Sequence, residues 1–255
     1  MAQTSLQGKL VVITGGAGEI GAATARVLGA EGAHVVIVDR LQPDVDRVVA
    51  ELTSSGAQAS GLAADVISAT DSSQFMAAAA SLGGGRIDGV FANAGVLGAI
   101  GSIEEHDDDD FARVLAVNVT GVYLTLKHAI PHMGRGGAIV ATGSTGSVFG
   151  TAGLAPYVAS KHAVLGLVRS VAKEVSDRGI RVNCVCPGPV DGSMMGAIED
   201  AFGGRAQARE LFEATVPLGR YANSSEIAQM VWFLMSDRSS YITGGHFLVD
   251  GGQRA

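Results

Sequence analysis

Short apolar runs alternate with segments of helical spacing along most of the chain. In the first half these runs lie near residues 9–13, 35–38, 57–63 and 87–91, and in the second half near 138–141, 180–186 and 246–249. Between them, helical spacing is found near 20–32, 43–54, 69–82, 111–126 and 225–235, and after Pro156. Strands that alternate with helices at this period favour a parallel sheet with helices on both faces. The pattern therefore predicts an α/β fold built on a doubly wound parallel sheet.

The length and composition fit one large domain of this kind. The chain has 255 residues and is 47% hydrophobic, with 36 Gly, which suits close helix–sheet packing and tight turns. It shows no internal repeat, low-complexity tract or long linker. We therefore expect residues 1–255 to form a single dinucleotide-binding and catalytic domain.

The negative net charge and the shortness of the apolar runs argue against some classes of partner. The formal net charge of −7 argues against nucleic acid or an anionic membrane as the main partner. No run of eighteen apolar residues is present, so we expect no transmembrane helix. The N-terminal sequence MAQTSLQGKL lacks the basic and apolar regions of a secretory signal, which favours a cytoplasmic location.

A glycine-rich turn follows the first apolar run, and an acid ends the second. Gly15, Gly18 and Gly21 open the first helical segment, and Asp39 follows the second strand. Glycines let the backbone approach a pyrophosphate, and the free N–H groups of a helix start attract its charge. An acid in this place can accept hydrogen bonds from both hydroxyls of an adenosine ribose. A glycine-rich turn alone says little, but the complete βαβ unit predicts a dinucleotide site.

Further polar or turn-forming residues follow the other predicted strands. In parallel sheets of this type, ligands bind outside the carboxyl ends of the strands. The residues that fall at predicted carboxyl ends are Asp39, Asp65, Asn93, Ser144 and Pro187-Gly188. Packing alone does not explain polar residues at so many strand ends, so we expect them to line a ligand site.

Tyr157 and Lys161 are candidates for chemistry at that site. They stand four residues apart in a helical segment, so they share one face of the helix. A phenol loses its proton at about pH 10 in water, and a neighbouring ammonium favours the phenolate. Ser144 lies thirteen residues before Tyr157, where its hydroxyl could bond a substrate oxygen. The three suit proton exchange at an alcohol or carbonyl oxygen, although the pair alone could be a chance surface pair.

Three other features have an ordinary interpretation beside a functional one. Cys184 and Cys186 would share one face of a strand, and without nearby His or further Cys we interpret them as reduced, buried thiols rather than metal ligands. The acidic run at 104–110 precedes a helix, and we interpret it as solvated capping. Asn118 interrupts the apolar face of that helix, so it either bonds neighbouring backbone or holds a water.

The segment 191–215 is a candidate lid over the ligand site. Met194, Ile198 and Phe202 are spaced four residues apart, with Gly203 and Gly204 behind them. An apolar face bounded by glycines suits a mobile lid over an apolar ligand. A surface helix packed on its own domain would show the same pattern, and the sequence does not separate the two.

The order of these motifs resembles the classical short-chain dehydrogenase/reductase family from Gly8 to Gly252, nearly the whole chain. The motifs in question are the glycine turn, Asn93-Ala94-Gly95, Ser144, Tyr157 with Lys161, and Pro187-Gly188. The resemblance implies a Rossmann fold of about seven strands and NAD(P)-dependent oxidation of an alcohol or reduction of a carbonyl. Members of this family are commonly homotetramers, so the resemblance also implies that assembly.

The resemblance assigns catalytic roles to four residues. It implies that Tyr157 is the acid/base and that Lys161 lowers the pKa of Tyr157 and holds the nicotinamide ribose. It further implies that Ser144 orients the substrate oxygen and that Asn118 holds a water in a proton relay.

Cofactor contacts are implied in the same way. Asn93 would fix the fourth strand beside the cofactor, Asp65 and Val66 would contact adenine, and Val190 would bond the carboxamide. The expected cofactor-binding residues are Gly15, Gly18, Glu19, Ile20, Gly21, Asp39, Asp65, Val66, Asn93, Tyr157, Lys161, Pro187, Gly188, Val190 and Ser193. No metal is expected.

The chain departs from the family pattern at two positions. The second glycine of the family's motif is Glu19 here, which places an acid near the pyrophosphate. The threonine that usually follows the Pro-Gly turn is replaced by Gly192, and only the adjacent Ser193 could take over its bond to the carboxamide. Both departures concern the geometry of the cofactor site and leave the catalytic residues untouched.

These observations predict an NAD-dependent alcohol dehydrogenase or ketoreductase that interconverts a secondary alcohol and a ketone. The substrate is expected to be an apolar or alicyclic small molecule, because the expected pocket residues are uncharged. These residues are Val96, Leu97, Ser147, Leu154, Met194, Met195 and Ile198. Two alternatives stay open: a 3-oxoacyl-carrier reductase, which Asp39 disfavours because that role usually draws on NADPH, and a non-catalytic dinucleotide sensor.

Overall fold

A computed structural model describes residues 6–255 of the chain, and residues 1–5 lie outside the described part, including half of the N-terminal sequence considered above. Seven parallel strands form one sheet in the order β3-β2-β1-β4-β5-β6-β7. The strands are β1 (Leu10–Thr14), β2 (His34–Asp39), β3 (Ala59–Ala63), β4 (Ile87–Ala92), β5 (Met133–Thr142), β6 (Arg181–Pro187) and β7 (His246–Val249). The order reverses between β1 and β4, which confirms the predicted doubly wound sheet.

Helices cover both faces of the sheet. They are α1 (Glu19–Ala30), α2 (Gln42–Ser54), α3 (Ala69–Leu82), α4 (Asp108–Leu115), α5 (Gly121–Ala129), α6 (Ala155–Glu174), α7 (Ser193–Ala201), α8 (Arg205–Ala214) and α9 (Ser224–Met235). On one face α1, α2 and α9 pack against residues such as Ile13 and Ile37, and on the other α3, α5 and α6 pack against residues such as Val12 and Val90. The inner strands are buried on both faces, which explains their continuous apolar runs, whereas the edge strands β3 and β7 are only partly buried.

The helical segment expected over 111–126 is interrupted. A π-helical segment, Ala116–Thr120, joins α4 to α5, and the Gly121 N–H donates to the Ala116 carbonyl five residues back. Phe111, the first apolar residue of the helical spacing over 111–126, is 41% exposed. The extra residue in this turn changes which side chains face inward, and a regular 3.6-residue period does not anticipate it.

Strand β5 begins five residues before the apolar run at 138–141. Its first half contains Gly134, Gly136 and Gly137, and the pairing with β4 shifts register between Ile87 and Gly89. This stretch is only partly buried, so it carries no apolar signal in the sequence.

The acidic run caps α4, as interpreted from the sequence. The Asp107 carboxylate accepts hydrogen bonds from the N–H groups of Asp109 and Asp110 at 2.8 and 3.1 Å. Asp110 in turn accepts from the Ala99 N–H at 2.7 Å. With Asp107 as the cap and Asp108, Asp109 and Asp110 in the first turn, four carboxylates complement the helix dipole.

The segment 191–215 folds into α7 and α8, separated by Gly203 and Gly204 with φ angles of +97° and +122°. The rings of Phe202 and Phe212 meet edge to face at 5.4 Å and hold the two helices together. Within residues 6–255, none of the helices has the length and apolar character needed to cross a membrane.

Candidate active site

The polar residues predicted at strand ends meet at the carboxyl edge of the sheet. Asn93, directly after β4, joins three strand ends: its side-chain N–H donates to the Gly15 carbonyl at 3.1 Å, and its side-chain carbonyl accepts from the Thr142 hydroxyl at 3.0 Å. Its backbone N–H donates to the Thr14 hydroxyl at 3.1 Å. Asn93 therefore fixes β4 between the glycine turn and β5, in the place that the sequence predicts.

The glycine turn leaves no room for larger side chains at two positions. A Cβ on Gly21 would lie 2.1 Å from the Gly15 carbonyl oxygen, and one on Gly15 would lie 2.8 Å from the Ala94 Cα. Gly15 also has a φ of +62°, which disfavours other residues. Gly18, the residue before α1, is exposed, and a Cβ there would have its nearest neighbour at 3.5 Å. This open helix start fits a pyrophosphate group, with Ile20 half-buried just behind it.

Asp39 lies beside the turn at the end of β2. One carboxylate oxygen accepts from the Ala17 N–H at 3.0 Å, and the other accepts from the Arg40 N–H at 2.8 Å. The carboxylate is therefore held next to the glycine turn, where an adenosine ribose lies in dinucleotide folds.

The next loop along the edge carries Asp65 and Val66. The Asp65 carboxylate accepts from the Ile67 N–H at 3.2 Å, and the Asp65 N–H donates to the Asp71 carboxylate at 3.1 Å. Val66 is buried, and Gly121 makes room for it, because a Cβ on Gly121 would lie 2.8 Å from a Val66 methyl. The two residues follow β3, which pairs with β2, so they lie at the same sheet edge as Asp39.

Tyr157 and Lys161 share one face of α6, as their spacing predicts. The Lys161 ammonium lies 5.5 Å from the centre of the Tyr157 ring. Lys161 is only 3% exposed and donates to the Thr142 carbonyl at 2.8 Å. Burial lowers the pKa of Lys161 to about 8, because desolvation disfavours the charged form.

The pKa of Tyr157 differs in direction from the sequence-based expectation. In the free protein, burial raises the pKa of Tyr157, and a hydrogen bond to the Ser144 hydroxyl acts in the opposite direction without outweighing it. The direction of this pKa shift is therefore opposite to the lowering expected from Lys161, because desolvation disfavours the phenolate.

Ser144 is held two residues beyond β5 in a short 3₁₀ turn, Thr145–Ser147. Its hydroxyl accepts from the Gly146 N–H at 3.1 Å, and its own N–H donates to the Ser147 hydroxyl at 3.1 Å. This reciprocal capping fixes the serine at the mouth of the site, close to Tyr157. Ser147 itself is buried, so it supports the turn.

The buried thiols lie beneath this turn. Cys184 and Cys186 are free, and their sulfur atoms are 3.7 Å apart, which confirms that they share one face of β6. A Cβ on Gly143 would lie 2.7 Å from the Cys184 sulfur and 2.9 Å from the Cys186 sulfur. The two sulfur atoms therefore pack against Gly143, the residue before Ser144.

Both the oxygen and the nitrogen of the Asn118 side-chain amide make hydrogen bonds to neighbouring groups. Its carbonyl oxygen accepts from the Val96 N–H at 2.8 Å, and its amide donates to the Val96 carbonyl and the Ser160 hydroxyl, each at 2.9 Å. Two of these bonds are the contacts with neighbouring backbone that the sequence analysis allows for Asn118. A Cβ on Gly95 would lie 3.2 Å from the Asn118 side-chain oxygen and 3.4 Å from the Lys161 ammonium, so these groups are close neighbours.

On the opposite side of the site, the chain runs from β6 into α7. Gly188 packs on Asp250, where a Cβ would come within 2.8 Å. Val190 pairs with Ala222 in an isolated parallel bridge, in which Asp191 N–H donates to the Ala222 carbonyl and Ala222 N–H to the Pro189 carbonyl. In a parallel bridge this leaves the N–H of Val190 on the opposite side, away from Ala222. Ser193 begins α7, and its N–H donates to the Glu19 carboxylate at 2.8 Å.

Three supporting residues, Thr14, Thr142 and Ser160, escaped the sequence analysis, and a fourth, Ser147, was expected to line the pocket but is buried in the turn. Thr14 and Thr142 end strands and bond Asn93, while Ser147 and Ser160 hold Ser144 and Asn118. The threonines could have been found, because they are polar residues at the carboxyl ends of strands. Ser160 gave no such signal, since a serine in a helix is common.

Comparison with known proteins places the chain among oxidoreductases. A family model described as enoyl-(acyl carrier protein) reductase matches residues 15–254. The chain is 39% identical over 254 residues to 2-(S)-hydroxypropyl-CoM dehydrogenase 3 of Xanthobacter autotrophicus, covering 98% of each. It is 34% identical to cyclohexanol dehydrogenase of Acinetobacter sp., covering 95% of this chain and 94% of that protein. The solved structure of NAD+-bound xylitol dehydrogenase matches with a TM-score of 0.90 at 30% identity, covering 97% of this chain and 99% of that chain.

Proposed function

Because the chain belongs to the classical short-chain dehydrogenase/reductase family, we propose that it is an NAD-dependent oxidoreductase that interconverts a secondary alcohol and a ketone. The observation that carries the proposal is the placement of Tyr157, Lys161 and Ser144 at the same sheet edge as the glycine turn. The residues of the glycine turn would hold a dinucleotide, which when bound would provide the hydride chemistry. The protein then has to bind the substrate oxygen and move a proton to or from it.

Each catalytic residue has a part that follows from its position. Tyr157 donates a proton to the ketone oxygen in reduction and takes it from the alcohol in oxidation. The Ser144 hydroxyl, held by its turn, binds the same oxygen and fixes its distance to the phenol. Lys161, buried beside the ring, biases the phenol towards the phenolate when it is charged and holds the ribose. Asn118 joins α6 to the loop at Val96 and anchors the proton relay that the family resemblance implies.

The proposed cofactor contacts extend along the edge from the pyrophosphate to the carboxamide. Gly15, Gly18, Glu19, Ile20 and Gly21 surround the start of α1, and Asp39 faces the ribose position. Asp65 and Val66 take the adenine, and Val190 the carboxamide. NAD is favoured over NADP because the fixed Asp39 carboxylate occupies the place that a 2′-phosphate needs.

The proposed substrate is an apolar or alicyclic alcohol or ketone. The names of two relatives include secondary alcohols, hydroxypropyl-CoM and cyclohexanol, and of these cyclohexanol is the apolar, alicyclic one. The arginines of the proposed lid are already paired with acids: Arg205 binds Asp200 at 2.9 Å, and Arg209 binds Asp191 and Glu213 at 3.0 Å. An anionic substrate would have to replace these partners.

A kinetic comparison of neutral and anionic substrates tests this proposal. We expect kcat/KM to be higher for cyclic ketones than for ketones of similar size that carry a carboxylate or phosphate, because a charge without a free cation loses its hydration. A preference for the anionic series that disappears in Arg205→Ala or Arg209→Ala, but persists in Arg169→Ala on the exposed face of α6, would contradict it.

The contact proposed for Ser193 can be tested at the cofactor. If its hydroxyl replaces the family's threonine, Ser193→Ala removes one hydrogen bond of about 0.5–1.5 kcal/mol to the carboxamide. The cofactor KM is then expected to rise by several-fold with little change in the backbone bond to Glu19. Unchanged KM and kcat would mean that the side chain of Ser193 makes no such contact.

A non-catalytic dinucleotide sensor is the rival from another class. A sensor has no need of Tyr157, Lys161 and Ser144, all of which this chain has. An assay of absorbance at 340 nm with NAD and a panel of cyclic, steroid and sugar alcohols, and with NADH and acyl-thioester ketones, separates the two. Turnover of any alcohol supports the proposal, and NAD binding without turnover across the panel favours the sensor.

We also propose a cytoplasmic location and a homotetrameric assembly. Light scattering, which measures the molar mass in solution, tests the homotetramer.

A further inference from the structure

Glu19 spans the gap between the glycine turn and the start of α7. It is the first residue of α1, and its carboxylate accepts the N–H of Ser193, the first residue of α7, at 2.8 Å. The N–H groups of a helix start have no partner within the helix, so this carboxylate satisfies one of them and complements the helix dipole. The contact joins two parts of the chain that are 174 residues apart.

Gly192 leaves the space that this carboxylate occupies. A Cβ on Gly192 would lie 1.8 Å from one Glu19 carboxylate oxygen and 2.5 Å from its carboxyl carbon. The backbone at Gly192 is extended, with φ 163° and ψ −174°, so its conformation does not require a glycine. Space for Glu19 is therefore the reason for a glycine here.

We propose that Glu19 is a positioning residue that fixes the first turn of α7 over the dinucleotide site, and that Gly192 is its necessary complement. The two departures from the family pattern are then one structural unit: an acid in place of a glycine, and a glycine in place of a threonine. The inference rests on the proposed function only in naming the site that α7 borders.

The contact also decides where the negative charge of Glu19 lies. The start of α1 is the place for a pyrophosphate, and a free carboxylate there repels it. Held by Ser193, the carboxylate points along the edge towards α7. Any residue with a Cβ at position 192 displaces it, because the end of a glutamate side chain moves more readily than the backbone. A displaced carboxylate both releases α7 and faces the pyrophosphate position.

Hydrogen exchange of the free protein tests the first part. The α7 amides of Glu19→Ala are expected to exchange about threefold to tenfold faster than in the unmodified protein, as expected for the loss of one charge-assisted hydrogen bond. Gly192→Ala should have the same effect, and the double variant should exchange no faster than either single variant. Glu19→Gln, whose amide oxygen can still accept from Ser193, should exchange at close to the original rate. Gly166→Ala, an exposed site with nothing within 4 Å of its Cβ, is the matched control.

NAD binding, measured by calorimetry, tests the second part. Gly192→Ala is expected to raise the Kd of NAD by threefold to tenfold, and adding Glu19→Ala is expected to return it to the original value or below. Unchanged α7 exchange in both single variants, or effects in the double variant that multiply, would overturn the proposal. Failure of the unmodified protein to bind NAD would instead overturn the proposed function, and the exchange experiment would still decide whether Glu19 positions α7.

Discussion

Tyr157→Phe is expected to lower kcat by at least about 10²-fold, within the 10²–10⁴-fold that general acid–base catalysis contributes. The substitution keeps the ring that lies 5.5 Å from the Lys161 ammonium and removes the hydroxyl that titrates. Since the ring is only part of the wall of the cofactor site, NADH should still bind, as measured by its fluorescence. The expected pattern is therefore a large loss of turnover with a nearly unchanged Kd for NADH.

Tyr123→Phe is the matched control for this substitution. Tyr123 is 46% exposed on α5, and its ring lies 5.7 Å from the Lys127 ammonium, so it reproduces a tyrosine–lysine pair outside the site. Its turnover should stay near that of the unmodified protein. Near-normal turnover in Tyr157→Phe would exclude the phenol as acid/base, and loss of NADH binding would leave it a structural role only.

The unmodified protein is expected to prefer NAD over NADP by at least about 100-fold in kcat/KM. Two hydrogen bonds fix the Asp39 carboxylate beside the glycine turn, so it would face the 2′-phosphate of NADP at contact distance. Two like charges about 4 Å apart cost about 4 kcal/mol at an effective dielectric near 20, which is larger than a hundredfold preference requires. Arg40 offsets part of this cost, because guanidinium pairs well with phosphate.

Two substitutions at Asp39 separate charge from structure. Asp39→Ala removes the charge and also the acceptor for the Ala17 N–H, so it should weaken NAD and improve NADP. Asp39→Asn keeps an acceptor for Ala17 and removes only the charge, so it should improve NADP with a smaller loss of NAD. Steady-state kinetics with both cofactors measure the preference. Equal kcat/KM values in the unmodified protein would show that the carboxylate does not face the ribose.

The inner strands of the sheet could be predicted because they are buried on both faces. The apolar runs of β2, β4 and β6 could be placed within one or two residues, and α3 and β7 were predicted with their observed ends. The first half of β5 could not be predicted, because its glycines and partial exposure carry no apolar signal. The pattern of apolar residues therefore locates a strand best where burial requires apolar side chains.

The sequence could predict that Ser144, Tyr157 and Lys161 lie near one another, but not the energetics of the candidate site. Spacing alone puts Tyr157 and Lys161 on one face of α6. It does not report how much water the fold removes, and desolvation reverses the expected direction of the pKa shift at Tyr157. The link between Glu19 and Gly192 also required coordinates, because each residue looks like an isolated departure until the distance between them is known.

The π-helical segment before α5 has a consequence for insertions and deletions. Each residue of an α-helix turns the chain by about 100°, so one surplus residue in a turn sets the register of everything beyond it. Deleting one residue from Ala116–Thr120 would let α4 and α5 merge into a regular helix, with ordinary hydrogen bonds throughout. The same deletion would rotate either Asn118 away from Val96 and Ser160, or the apolar side of α5 away from the sheet. A shorter chain could thus gain a better helix only by misaligning its active site or its core.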